Sequence, residues 1–280
     1  MAGHMWTDLN RPPLDPDALR RALVRDGSDP DAFWSRLDVV AETGSTNADL
    51  LARMQGPDFD RSVLIAEFQT GGRGRHARSW VSTPRALVTV SVVLGMPGLS
   101  LTDIGWVPLL SGIAVVDALR RVAEVDAELK WPNDVLIDGR KVAGILAEVA
   151  ATSPVPTVVV GIGLNVSLTE DELPVPTATS LALENAAITD RDILVRAVLR
   201  ELAVRWQQWH SAEWSVDDLA AAYRERCGTL GRRVRAELPG DRELVGIATD
   251  VDTEGRIVIK AEGEPPVAVS AGDITHLRAV

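Results

Sequence analysis

The chain has 280 residues, 46% of them hydrophobic and 25% charged, with a formal net charge of -11 and one cysteine. That length supports one large domain plus a small one; the acidity argues against gripping a nucleic-acid backbone over a broad surface, and lone Cys227 excludes an internal disulfide and points to a reducing compartment. No signal-peptide pattern is visible and no apolar run reaches the roughly 18 residues a membrane span needs, so a soluble cytoplasmic protein is expected.

Gly3-His4-Met5 resembles a cloning remnant and is set aside. Asp15-Pro16-Asp17 is a helix start, with Leu19, Ala22 and Leu23 as its apolar stripe and Gly27 as its stop. Residues 37–41 read as a short strand. In Glu42-Thr43-Gly44-Ser45-Thr46-Asn47-Ala48-Asp49, Thr46 with Asp49 three residues on forms a capping-box pattern that opens a short helix through Leu50, Leu51 and Met54. These residues are either a cap and nothing more, or they leave hydroxyl and amide groups at a helix start to hold a small polar ligand.

Residues 62–67 and 86–94 are β-rich apolar runs. The loop between them holds Gln69-Thr70-Gly71-Gly72-Arg73-Gly74-Arg75-His76-Ala77-Arg78-Ser79-Trp80, and no acidic residue occurs between Glu67 and Asp103. Arg73, Arg75, Arg78 and Arg85 thus stand in a clearing of positive potential. Arginine offers a planar fork of donors matched to phosphate or carboxylate, and glycines let backbone N–H groups approach such a guest. A solvated loop with scattered arginines accounts for the same residues. The spacing fits neither a dinucleotide fingerprint nor a P-loop. The loop is expected at a sheet edge, and mobile when empty because few apolar side chains anchor it. Trp80, at its far end, is either core or a platform for a flat ring.

Residues 103–122 form a helix whose Trp106, Leu109, Leu110, Ile113, Val116 and Leu119 recur at packing spacing. Next comes Lys130-Trp131-Pro132-Asn133-Asp134, and Asp138-Gly139 between two apolar runs is a two-residue hairpin signal. Lys141 then lies at the start of a returning strand, near the small residues Ala143 and Gly144. It is either a lysine protecting a sheet edge or a cation presented to a ligand lying against the backbone. Lys130 and Asp134 either form a salt-bridged strand end or belong to the same site. Residues 158–163 are a buried strand ending near Asn165, a turn residue or an amide presented to a ligand.

Residues 190–209 and 215–227 are amphipathic helices, each with an N-terminal cap signal, packed through Trp206, Trp209 and Trp214. From Gly231 the texture changes to short alternating strands with turns at Pro239-Gly240, Glu254-Gly255 and Pro265-Pro266, which reads as a small antiparallel barrel. Carboxylates outnumber cations there, against an RNA-binding role.

The sequence has no nucleophile elbow, no histidine pair at metal spacing and no zinc-type cysteine set. What is left is positive charge beside glycine backbone, a lysine on a strand and polar groups near a helix start. That equipment suits displacement at phosphorus, with the protein positioning reactants and stabilising charge.

Ser45-Thr46-Asn47, Gln69 with Gly72-Arg73-Gly74-Arg75, Lys130-Trp131-Pro132-Asn133-Asp134, Lys141-Val142-Ala143-Gly144-Ile145-Leu146 and Gly163-Leu164-Asn165 together resemble the signature set of biotin protein ligases, in order and at compatible spacing from Val39 onward. Two positions depart from it: Ala77 stands where a glycine is common, and Gly71 where an alanine is frequent. The resemblance implies an α+β fold: a mixed-sheet catalytic domain of the class II aminoacyl-tRNA-synthetase-like, biotin–lipoate ligase type at 39–229, a C-terminal SH3-like β-barrel at 230–280, and a one-helix extension at 1–38. It implies that biotin's carboxylate attacks the α-phosphate of ATP, with Mg²⁺, to give biotinyl-5′-AMP, and that a lysine of a biotin carboxyl carrier protein takes the acyl group.

By the same resemblance, Ser45, Thr46, Asn47 and Gln69 hold biotin's ureido ring, with Arg73, Gly74, Arg75, Lys141 and Gly144 also around biotin. Arg73, Arg75, Arg78, Trp80, Lys130, Asn133, Asp134, Lys141 and Asn165 surround ATP. Trp80 stacks near the adenine, Asn165 reads its edge, and Lys141, with Arg73, supplies the catalytic charge. Asp134 either orients an arginine or helps hold Mg²⁺; the metal ligands stay open. The same reading expects no DNA-binding segment, no membrane association and a monomer or weak homodimer. Two alternatives stand beside it: a lipoate ligase or octanoyltransferase of the same fold, and a biotin-responsive transcriptional regulator.

Overall fold

The computed structural model describes residues 11–24, 32–53, 59–238, 242–271 and 276–279. Gly27, Met54 and Pro239-Gly240, named above as a helix stop, a helix end and a turn, lie outside them. Helix α1 (Pro16–Leu23) starts as its sequence dictates: the Asp15 carboxylate accepts from the Asp17 and Ala18 N–H groups, and Pro16 sits where no helical donor is needed.

The main body is a seven-stranded mixed sheet in the order β1-β2-β3-β7-β6-β5-β4. Its strands are β1 (Arg36–Val40), β2 (Ser62–Ala66), β3 (Leu87–Gly95), β4 (Ala127–Lys130), β5 (Asp134–Ile137), β6 (Arg140–Ala151) and β7 (Thr157–Asn165). Only β1 and β2 run parallel; all other neighbours are antiparallel. The Gly/Arg loop joins β2 to β3, so it leaves the end of the sheet between its second and third strands and not an edge, which β1 occupies. In the β5–β6 hairpin, Asp138 (φ 49°) and Gly139 (φ 75°) form the expected tight turn with both residues left-handed.

The two faces of the sheet are filled differently. On one, Val88, Val90, Val92 and Leu94 of β3 and Ile145 of β6 join the large core with α3 (Trp106–Ala118) and α4 (Arg191–Ser211). On the other, α2 (Thr46–Arg53) covers only part of the sheet: its Leu50 packs on Leu64, Val93 and Val159. Strand alternation sends the neighbours of those residues, Ser91, Gly161 and Glu148, to the same uncovered face. The candidate site lies there.

Helix α3 continues a 3₁₀ turn at Leu101–Gly105 and runs into a π-turn at Leu119–Ala123. Read as one stretch, Leu101–Ala123 is long and apolar enough to cross a membrane by length and composition, against the expectation that no run is. Its side chains are spent on the core, where Trp106, Leu109, Leu110, Ile113, Val116 and Leu119 are all buried. Helix α4 takes its expected cap, with the Asp190 carboxylate accepting from the Ile193 N–H. The cap expected on α5 (Asp217–Arg226) is weaker, because Ser215 Oγ meets the Asp217 N–H only at 3.5 Å. Trp206, Trp209 and Trp214 do cluster, with Trp214 edge-on to the other two at ring separations of 5.6 and 5.1 Å.

The C-terminal strands form a five-stranded antiparallel sheet in the order β11-β10-β9-β8-β12: β8 (Arg233–Leu238), β9 (Arg242–Val251), β10 (Ile257–Lys260), β11 (Val267–Val269) and β12 (His276–Ala279). Val234, Ala248, Val251 and Ile257 belong to the same buried cluster as α3. Two indoles tie this sheet to the body: Trp106 Nε1 donates to the Thr253 carbonyl (2.7 Å) and Trp131 Nε1 to that of Gly255 (3.0 Å).

Candidate active site

A cavity opens on the uncovered sheet face. At about 180 Å³ it exceeds the space one water needs by an order of magnitude, so it accepts a small organic molecule. Its floor follows from strand register: Thr89 and Ser91 on β3 lie opposite Gly163 and Gly161 on β7, which lie opposite Gly144 and Leu146 on β6. Gly144, Gly161 and Gly163 leave gaps in this floor that side chains from above occupy. A Cβ on Gly161 would sit 2.4 Å from Asn47 Oδ1, and one on Gly163 2.4 Å from the Trp80 indole.

The end of the cavity under α2 is a polar network. The capping box does not form: Thr46 is helical, its N–H and hydroxyl both directed to Gln69 Oε1 (2.8 and 3.0 Å), and Asp49 accepts from Thr43 instead. Ser45 takes the cap position, its Oγ accepting from the Ala48 N–H (3.4 Å). Ser91 Oγ lies 2.6 Å from both Thr46 Oγ1 and Asn47 Oδ1, one proton facing two acceptors. Asn47 Nδ2 donates to Glu148 (2.7 Å) and to the Leu146 carbonyl (3.2 Å), which fixes the direction of its amide. Ser45, Thr46, Asn47, Gln69 and Ser91 are all buried, and satisfied groups of this kind form a rigid polar wall.

The other end is cationic. Arg73, Arg75, Arg78, Lys130 and Lys141 line the cavity, while Asp134 is the sole carboxylate among its described lining residues. Lys141 reaches it through a bulge. Register shifts between Val135 and Leu136, so Val142 and Ala143 are both core residues and Lys141 turns to the same face as Gly144, its Nζ 3.1 Å from where a Gly144 Cβ would stand. Lys141 Nζ pairs with Asp134 and lies 5.6 Å from the Trp80 ring centroid. Asp134 thus holds the Lys141 ammonium group. Strand β6 is interior, so Lys141 is no edge protector.

Within the loop, Gly74 N–H donates to Arg78 O (2.7 Å) and Trp80 N–H to Gly72 O (2.9 Å). Arg75 donates to Asn133 Oδ1 (3.2 Å) and to the Ala271 carbonyl of the C-terminal sheet, and burial pulls its pKa below the ordinary value, with the Asp134 carboxylate opposing. Arg73 pairs with Glu148 at 3.1 Å. Ala77, one of the two departures noted above, has φ 57°. A left-handed alanine costs roughly 1–2 kcal/mol, more than the unfolded-state entropy glycine adds. Ala77→Gly is therefore expected to raise stability by about 0.5 kcal/mol, reversing the usual sign of that change; urea unfolding checks it.

Asn165 does not line the cavity. Its amide donates to the Thr179 carbonyl (2.8 Å), bracing a segment whose Thr177 carbonyl and Thr179 N–H bind the Lys141 backbone. The other residues expected around biotin and ATP all line the cavity, with Asn133 holding the Ile145 carbonyl through Nδ2. Ser91, Gly161 and Glu148 went unnoticed in the sequence. A serine inside an otherwise apolar strand was the available signal for the first, and Gly161-Ile162-Gly163 placing two glycines on one strand face for the second.

Residues 43–165 match the family model for the biotin/lipoate A/B protein ligase family, and residues 229–277 that for the biotin protein ligase C-terminal domain. The chain is 49% identical to the biotin–[acetyl-CoA-carboxylase] ligase of Mycobacterium tuberculosis over 97% of its own length and 98% of that protein. It is 30% identical to the bifunctional ligase/repressor BirA of Escherichia coli over 80% of its length and 69% of that protein. A solved structure of biotin protein ligase from Aquifex aeolicus in complex with biotin and ATP superposes with a TM-score of 0.73 at 26% identity, covering 88% of this chain and 100% of the other. The chain belongs to the biotin protein ligase family.

Proposed function

We propose that this protein joins biotin to ATP as biotinyl-5′-AMP and transfers the acyl group to a lysine of a biotin carboxyl carrier domain. The observation that carries the reading is the division of one cavity into a hydrogen-bonding end walled by buried neutral side chains and a cationic end, meeting over glycine backbone at Lys141. A neutral ureido ring matches the first and phosphates the second.

In the first step biotin's carboxylate oxygen bonds to the α-phosphorus and the bond to pyrophosphate breaks. Ser45, Thr46, Asn47 and Gln69 hold the ring so that the carboxylate points toward Gly144 and Lys141. Lys141 Nζ stands where charge accumulates on the transferring phosphoryl group, and a preorganised donor in that position is worth a few kcal/mol. Arg73, Arg75 and Arg78 bind the phosphates, Trp80 stacks against the adenine, and Lys130 and Asn133 complete that wall. Asn165 acts from beneath by bracing the segment that pins Lys141. In the second step the carrier lysine, as a free amine, attacks the acyl carbon and AMP leaves as the phosphate anion these cations already hold.

Mg²⁺ fits this site as an ion carried by the nucleotide. No group of three His, Cys, Asp or Glu side chains that could hold a metal occurs among the described residues, whereas Mg²⁺ on a nucleotide needs only one or two carboxylates. Asp134 would be that carboxylate, the ion neutralising phosphate charge.

The test is incubation with biotin, ATP, Mg²⁺ and an apo carrier domain, read by mass spectrometry. The expected result is one biotinyl addition on the carrier's acceptor lysine, lost when biotin is omitted. No addition would refute the reading, and equal transfer of lipoate would move it to the lipoate branch.

A further inference from the structure

We infer that Glu148 is a positioning residue that couples the hydrogen-bonding end of the cavity to the Gly/Arg loop. The inference deepens the function proposed above and rests on it. A single oxygen, Glu148 Oε2, accepts from two elements far apart in sequence: from Asn47 Nδ2 on α2 at 2.7 Å and from Arg73 Nη2 on the loop at 3.1 Å. The carboxylate thereby does two separable things. It turns the Asn47 amide so that Nδ2 faces β6 and Oδ1 faces Ser91, and it holds Arg73 at the cavity mouth.

The two bonds differ in strength in a way that suits a switch. The Asn47 contact is the shorter, and its donor is a buried side chain held also by Ser91 and the Leu146 carbonyl. The Arg73 pair is half-exposed, 44% on the arginine side and 26% on the glutamate side, and such pairs are weak and screened by salt. A phosphate entering the cationic end can draw Arg73 away while Asn47 keeps its orientation. Glu148 thus parks the loop's first arginine in the empty enzyme and yields it to the nucleotide, so ring recognition and loop position share one group.

The test uses the full-length enzyme with Glu148→Gln, Glu148→Ala and Arg73→Gln, and it has two readouts. The first needs no substrate: tryptic cleavage after Arg75 and Arg78 in the ligand-free protein. Losing the ion pair should speed it about three- to fivefold in all three variants, the size a half-exposed pair allows. The second is the KM for biotin in adenylate formation. Glu148→Gln keeps an oxygen for Asn47 Nδ2 while Glu148→Ala does not, so the alanine variant should show a KM about tenfold above that of the glutamine variant, with kcat changing less.

Cleavage at the wild-type rate in Glu148→Gln and Arg73→Gln would overturn the parking role. Equal biotin KM values in the glutamine and alanine variants would overturn the orienting role. Should Glu148→Ala fail to fold, Glu148→Leu in the same assay carries the second comparison. Because the proteolysis readout uses no biotin or ATP, it succeeds or fails independently of the reaction assigned to the site.

Discussion

Lys141→Ala is expected to slow biotinyl-adenylate formation by about a thousandfold, on the order of 4 kcal/mol of transition-state stabilisation, while the protein stays folded. The bulge at Val142 brings the lysine to the cavity face, Thr177 and Thr179 pin its backbone, and Asp134 and Trp80 bracket its ammonium group. A cation so held needs no reorganisation when the phosphoryl charge develops. Single-turnover measurement with labelled ATP checks the variant, with thermal unfolding as the folding control. A rate near that of the parent enzyme would refute the role given to this lysine.

Gly161→Ala is expected to weaken biotin binding by at least about thirtyfold, or roughly 2 kcal/mol. The new methyl would stand 2.4 Å from Asn47 Oδ1, and that amide cannot step aside cheaply, because Ser91, Glu148 and the Leu146 carbonyl all hold it. What must move is a side chain of the site and not the sheet, so the melting temperature should shift by only a few degrees. Isothermal titration with biotin measures the loss. An unaltered affinity would mean that Asn47 has no part in holding the ligand.

The sequence was most informative where chemistry is local. Asp15-Pro16-Asp17 capped its helix, Asp138-Gly139 turned its hairpin, and the long apolar stripe from Trp106 became the core helix, because each depends on residues within one or two turns of the chain. The arginine-rich loop was visible as a charge anomaly, and the motif set carried the family.

What escaped notice depends on register and on partners distant in sequence. Thr46 and Asp49 had capping-box spacing, yet Gln69, more than twenty residues on, offered Thr46 both its bonds. From spacing alone Lys141 fits an edge lysine as well as a ligand-facing cation; the flanking of β6 by β7 and β5 and the bulge that turns it to the cavity face decide between them. Asn165 carries an amide suited to a base edge, but Thr179 takes it first. Glu148 reads as an ordinary solvated glutamate, and only the strand pairing places it between Asn47 and Arg73.

The central claim is that the polar end and the cationic end of this one cavity hold biotin and ATP in line for attack at the α-phosphorus. Its most direct measurement is ligand-dependent exchange of labelled pyrophosphate into ATP, with no carrier protein present. The account predicts exchange that requires biotin, is not supported by lipoate, and collapses in Lys141→Ala. Exchange that ignores biotin, or none at all in the folded parent enzyme, would contradict it.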